Sequence, residues 1–82
     1  MFRVVLTRRA LKDLKNIDED NRHKIAAKLK EYIKEPLKYA RKLINPKIGT
    51  YRFRIGTYRV IFDIDNEIIV ILRIGHRRSI YK

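Results

Sequence analysis

The sequence predicts an α+β fold of order β-α-α-β-β-β, with a helical hairpin packed on one face of a mostly antiparallel sheet. Three observations carry that prediction. Apolar residues in the first half recur with a helical period, as Ile25, Leu29, Tyr32 and Ile33 do. From Tyr51 to Ile64 the period becomes two. The change falls at one place, Gly49, without a linker, a repeat or a low-complexity stretch, so the 82 residues read as a single domain, 1–82.

Each element follows from its residues. Residues 2–6 (FRVVL) are β-branched and apolar, hence a short strand. Thr7 caps a helix over residues 8–16, in which Leu11 and Leu14 are expected to point inward and Arg8, Arg9, Lys12 and Lys15 to face water. Asp18, Glu19 and Asp20 then supply a cap and negative charge for a second helix. Pro36 is expected to end that helix. Residues 37–48, with Pro46 among them, read as an irregular connection.

Beyond Gly49, Tyr51, Phe53 and Ile55 alternate with Arg52 and Arg54. After Gly56 and Thr57, the residues Tyr58, Val60, Phe62 and Ile64 alternate with Arg59, Ile61 and Asp63. Glycine at the first central position suits a two-residue type II′ hairpin. Asp65 and Asn66 mark the next turn, before a strand over residues 67–74. Gly75 is expected to interrupt, leaving residues 76–81 as a polar tail or a short final strand.

Composition narrows the function. There is no cysteine, and His23 and His76 have no partner at ligand spacing, so neither a disulfide nor a metal or other cofactor is expected. His23, flanked by Arg22 and Lys24, reads as solvated surface. The longest apolar run, Ile68 to Leu72, is far short of a membrane span. The first residues, MFRVVLTRR, lack the apolar core of a secretory signal, so a cytoplasmic address without membrane contact is expected. Lys and Arg number 21 against 9 Asp and Glu, a net charge of +12. Such a chain repels itself, and a nucleic acid or an acidic protein is its natural counterweight. A solvated lysine surface is the plainer reading, but the distribution argues against it for the second half. Nine of ten lysines precede residue 49, whereas the later cations are mostly arginines, whose planar fork suits phosphate.

A two-residue hairpin at Gly56 and Thr57 pairs Ile55 with Tyr58, Arg54 with Arg59, and Phe53 with Val60. Arg54 and Arg59 then stand opposite each other with Arg52 two residues along. Like charges directly opposed destabilise a strand pair. An anion docking there turns that repulsion into bidentate hydrogen bonding. Arginine stems covering apolar sheet are the structural alternative. Arg73, Arg77 and Arg78 add cations at the sheet's end. The face of Arg73 is not fixed by the sequence, and a pairing with Asp63 or Glu67 is equally open. His76 is the ordinary side chain here suited to proton transfer near neutrality, although a lone histidine is more often a packing residue. Tyr81 either anchors the tail or stacks on a base.

The run from Gly49 to Phe62 (GTYRFRIGTYRVIF) and the run from Arg73 to Tyr81 (RIGHRRSIY) resemble the RelE/ParE superfamily of prokaryotic toxins. The opening strand and helix pair fit the same plan, so the resemblance extends over essentially the whole chain. RelE-like members are endoribonucleases that enter the ribosomal A site and cut mRNA. Each is held inactive by a cognate antitoxin. The resemblance therefore implies ribosome, mRNA and an acidic RelB-like antitoxin as partners. By position it implies that Arg52 and Arg54 flank the scissile phosphate and Arg59 holds it. His76 and Arg77, with Arg78 a close alternative, correspond to the basic pair after the final glycine, and Tyr81 to the stacking tyrosine.

The best-known RelE carries lysines where Arg52 and Arg54 stand. Arginine does not give up its proton in a protein, so these two can stabilise a charged phosphorane but are poor general bases. The expected chemistry is attack by the 2′-hydroxyl without a metal, with His76 or Tyr81 sharing the proton transfers and with weakened activity a consequence of the departure. A ParE-like inhibitor of DNA gyrase is the second reading, and a catalytically weak RNA-binding member of the fold the third.

Overall fold

Along the chain of the computed structural model, which describes residues 1–44 and 47–81, the elements are strand β1 (Arg3–Leu6), helices α1 (Arg8–Lys15) and α2 (Glu19–Tyr32), and a single helical turn α3 (Pro36–Tyr39). Strands β2 (Arg41–Lys42), β3 (Tyr51–Ile55), β4 (Tyr58–Asp65) and β5 (Ile68–His76) follow. They form one five-stranded sheet in the order β1-β5-β4-β3-β2. β1 lies parallel to β5, and the other three pairs are antiparallel. The α+β class and the helix pair are therefore as expected.

The core fills the space between the helices and one sheet face. Tyr51, Phe53 and Ile55 of β3, Val60 and Phe62 of β4, and Ile69, Ile71 and Ile74 of β5 meet the α2 stripe of Ile25, Leu29, Tyr32 and Ile33. Phe53 stacks on Phe62 at 4.3 Å, and Tyr32 on Tyr39 at the same distance. The caps are those the sequence indicates. Thr7 Oγ1 accepts from the Ala10 amide at 3.2 Å and donates to the Leu72 carbonyl at 3.2 Å. Asp18 accepts from the Asn21 amide at 3.3 Å.

Four expectations are corrected. Leu11 is exposed, and Ala10, Leu14 and Ile17 face inward instead. The inner face runs through positions 10, 14 and 17, and the small Ala10 allows close approach to the sheet. Pro36 does not simply close α2, which ends at Tyr32; it starts α3, where its fixed φ and missing N–H suit the first helical position. The connection over 37–48 is not wholly irregular, because Arg41 and Lys42 pair with Arg52 and Tyr51 as an edge strand. Pro46 lies outside the described residues. Gly75 does not interrupt β5, which continues through His76, and the tail beyond is a turn rather than a strand. In it the amides of Ser79 and Ile80 both donate to the His76 carbonyl at 3.0 Å. Ile80 is buried against Gly75, where an added Cβ would stand 3.3 Å from Ile80 Cδ1.

A bulge at Ile61 and Phe62 leaves Leu72 as the extra residue of β5. It restores the alternation that puts Ile74 toward the helices and Gly75 toward the open face. The open face is thus flat where the tail folds onto it. Among the described residues no helix is long and apolar enough to cross a membrane.

Candidate functional site

The β3–β4 hairpin has the expected register. Ile55 pairs with Tyr58, Arg54 with Arg59, and Phe53 with Val60. Gly56 takes φ 58°, the left-handed value that the first position of a II′ turn requires. Since Phe53 and Val60 enter the core, Arg52, Arg54 and Arg59 share the face turned away from the helices. Arg41, opposite Arg52 on β2, joins them. Sequence reasoning missed Arg41, because a two-residue edge strand has no alternation to read.

Arg59 is the buried cation of this face, with 5% of its surface exposed. Its Nη1 donates to the Gly56 carbonyl at 3.0 Å and to the Tyr58 carbonyl at 2.9 Å. The hairpin's own backbone thus fixes the guanidinium. Burial, and then the fields of Arg54 and Arg52, push it below the usual arginine range; the Tyr81 phenol acts in the opposite direction, and Arg77 again lowers it. Among the described residues, the charges that act on Arg59 are three further arginines and a phenol.

The C-terminal turn brings Arg77 and Tyr81 to this face. The Arg77 amide donates to the Thr57 carbonyl at 2.8 Å, tying the turn to the hairpin tip. Tyr81 is half exposed and shares with Arg52 a groove of about 370 Å³, whose other walls are Lys42, Leu43, Ile44 and Ile48.

Two of the sequence-derived residues, His76 and Arg73, are placed elsewhere. His76 pairs with Tyr58, whose ring it meets edge-on at 5.8 Å, and Tyr58 packs on the helix side of the sheet. It therefore stands on the face opposite Arg59, which pairs with Gly75. Its Nδ1 accepts from the Arg78 amide at 3.2 Å, and the Arg78 side chain is exposed. Arg73 Nε donates to Asp13 Oδ2 at 2.8 Å, an oxygen that also accepts from the Ile74 amide at 3.0 Å. Neither Asp63 nor Glu67 is its partner: Asp63 accepts from the Thr50 amide, and Glu67 lies 3.8 Å from the N-terminal amine. The chain thus gathers Arg52, Arg54, Arg59, Arg77 and Tyr81, and directs His76 and Arg73 to structural contacts.

Chemically, a fixed buried guanidinium flanked by movable ones is an anion site. It can hold a phosphate and stabilise added charge on it. Its arginines cannot serve as general bases, whereas the Tyr81 phenol can exchange a proton.

Residues 4–81 match the family described as ParE toxin of type II toxin–antitoxin system, parDE. The chain is similar to the toxin RelG of Mycobacterium tuberculosis, with 43% identity over 51 residues, 60% of this chain and 59% of RelG. It is similar along nearly its whole length to the toxin RelE3 of Methanocaldococcus jannaschii, with 30% identity over 98% of this chain and 96% of that one. Among solved structures it resembles a chain of the toxin–antitoxin complex RelBE2 of M. tuberculosis, with a TM-score of 0.76 and 32% identity over 93% of this chain and 98% of that chain.

Proposed function

The chain belongs to the RelE/ParE superfamily of type II toxins, and from that premise we propose that it is a ribosome-dependent endoribonuclease that cuts mRNA in the A site. One observation supports this reading above the others: the buried, backbone-fixed Arg59 with Arg52, Arg54, Arg77 and Tyr81 around it. A face of this kind is completed by a phosphate.

In the proposed reaction the ribose 2′-oxygen attacks the adjacent phosphorus. The 2′-O–P bond forms as the P–O5′ bond breaks, leaving a 2′,3′-cyclic phosphate and a free 5′-hydroxyl. Arg59 holds a non-bridging oxygen, and Arg52 and Arg54 stabilise the extra charge of the phosphorane. Tyr81, beside Arg59, exchanges one of the two protons; the open groove leaves the other to water. A small domain whose groove beside Arg52 and Tyr81 is open to solvent needs a large partner to exclude water, which is the role of the ribosome in this scheme.

In storage the same face is covered by an acidic antitoxin of the RelB kind, in the cytoplasm. The net charge of +12 and the likeness to a toxin seen in a complex with its antitoxin support that partner. Primer extension on an mRNA, with and without translating ribosomes, tests the activity for the wild type and Arg59→Ala. Cuts within codons that need ribosomes and vanish in the variant are expected. Intact mRNA in both lanes overturns the ribonuclease assignment in favour of a gyrase-directed toxin, which a supercoiling assay then examines.

A further inference from the structure

His76 stands on the face opposite Arg59, yet its ring makes a directed contact with the segment that follows it. The Arg78 amide, two residues on, donates to His76 Nδ1 at 3.2 Å. An Asn or Asp side chain accepts from its own backbone in this way at a turn, and here an imidazole nitrogen takes the place of the oxygen. Tyr58 braces the ring, which it meets edge-on at 5.8 Å. The turn capped in this way carries Arg77 and Tyr81 to the arginine face. Its other supports are the Arg77 amide on the Thr57 carbonyl and the Ser79 and Ile80 amides on the His76 carbonyl. The buried Ile80 side chain, seated on Gly75, completes them.

We propose that His76 is a positioning residue, whose neutral imidazole caps the C-terminal turn and so sets Arg77 and Tyr81 on the face of Arg59. The importance of that face rests on the ribonuclease reading above. An imidazole nitrogen accepts only while it is unprotonated, and in the imidazolium both nitrogens are donors. A donor at Nδ1 then faces the donor of the Arg78 amide, and the cap is lost. The titratable and charged groups about the ring come from four elements. They are the Tyr58 phenol of β4, and Lys24 and Lys28 of α2, which line a groove with Tyr58. Asp13 of α1 bonds the Ile74 amide and Arg73, and Arg77 and Arg78 belong to the turn itself. The capped turn binds the proton less readily than the open one, so its cap is present at high pH and lost as pH falls. The change falls around the ordinary histidine value of about 6.5. One neutral bond among several is involved, so the turn loosens about fivefold without unfolding.

NMR on the purified, isotope-labelled chain between about pH 5 and pH 8 tests this. In the wild type the exchange protection of the Ile80 amide is expected to fall about fivefold on acidification. The Tyr81 ring signals should move with it, at the midpoint read from the His76 ring carbons. His76→Asn supplies an oxygen acceptor and does not titrate, so it should keep the protected turn over the whole range. His76→Ala should show the loosened turn at every pH. His23, the other histidine, lies beside Glu19 on α2, and His23→Gln should leave the transition in place. A turn that ignores pH in the wild type overturns the proposal, as does His76→Asn behaving like His76→Ala. Neither readout involves cleavage, so its failure is distinct from intact mRNA in primer extension, which overturns the ribonuclease reading.

Discussion

Arg54 and Arg59 are directly opposed across β3 and β4, yet one is exposed and the other is 5% exposed and bonded to its own hairpin. The pair divides the work of an anion site. Arg59 gives a fixed position, and Arg54 remains free to close over whatever docks there. Packing alone gives no reason for the arrangement, because burial and the neighbouring arginines both act against the charge on Arg59. Local instability kept at a functional site is a common exchange of stability for activity.

Arg54→Thr is therefore expected to stabilise the isolated chain, by about 0.5 kcal/mol, through loss of one like-charged cross-strand pair. Urea unfolding at low ionic strength measures it. The gain shrinks as salt shortens the Debye length. Cleavage by the same variant falls. A lowered unfolding midpoint at low salt would show that Arg54 contributes more through packing of its stem than it costs through repulsion.

His76 and Tyr81 separate by face. With His76 on the helix side against Tyr58, His76→Ala is expected to keep the single-turnover cleavage rate within about threefold of the wild type. Tyr81→Phe keeps the ring and loses the hydroxyl, and its rate is expected to fall about a hundredfold, the lower end of a general acid–base contribution. Rapid-quench kinetics on programmed ribosomes decides between them. A deep loss in His76→Ala with Tyr81→Phe unaffected reverses the assignment.

How much the sequence discloses follows from what sets each feature. The hairpin register is local, because Gly56 fixes the turn and the period of two fixes the faces, so the opposition of Arg54 and Arg59 is legible. The face of His76 is not, since it depends on the bulge that makes Leu72 an extra residue and restores the alternation beyond it. Nor is the partner of Arg73, because Asp13 lies sixty residues away in sequence and reaches it only once α1 has packed beside β5. Leu11 misleads for a related reason: in an inner helical face pressed against a sheet, the closest position selects the small Ala10 rather than the larger leucine.

Two glycines should respond differently to alanine. At Gly56 nothing lies within 4 Å of an added Cβ, so the cost is that of the left-handed φ of 58° alone, about 1–2 kcal/mol. At Gly49 the φ is also positive, and the methyl meets the fully buried Ile61, whose β-branched side chain has no room to turn away. Overpacking of that kind adds about 1–3 kcal/mol. Thermal unfolding of the two variants is expected to rank Gly49→Ala as the more damaged. It should also disturb Leu43 and Ile48 where they line the groove beside Arg52, whereas Gly56→Ala leaves them in place. Equal melting temperatures would mean that the backbone at Gly49 lifts away from Ile61 without loss.

At the start of α2, hydrogen bonds from the Asn21 side chain and then from its backbone amide hold the Asp18 carboxyl below its ordinary value of 3.8. The native state therefore binds this proton less readily than the unfolded chain does. Stability from this cap is fully present above the unfolded value and is lost as pH falls through the folded one. The stability difference between the wild type and Asp18→Ala is accordingly expected to be constant near neutrality and to narrow below pH 3.8. Asp18→Asn keeps a side-chain acceptor for the Asn21 amide and cannot titrate, so it should hold its advantage over alanine at low pH. Urea melts of the three chains between pH 2 and pH 7 check this. If Asp18→Asn and the wild type lose stability in parallel on acidification, the acid sensitivity belongs to another carboxylate, and the Asp13 contact with Arg73 and the Ile74 amide becomes the next to examine.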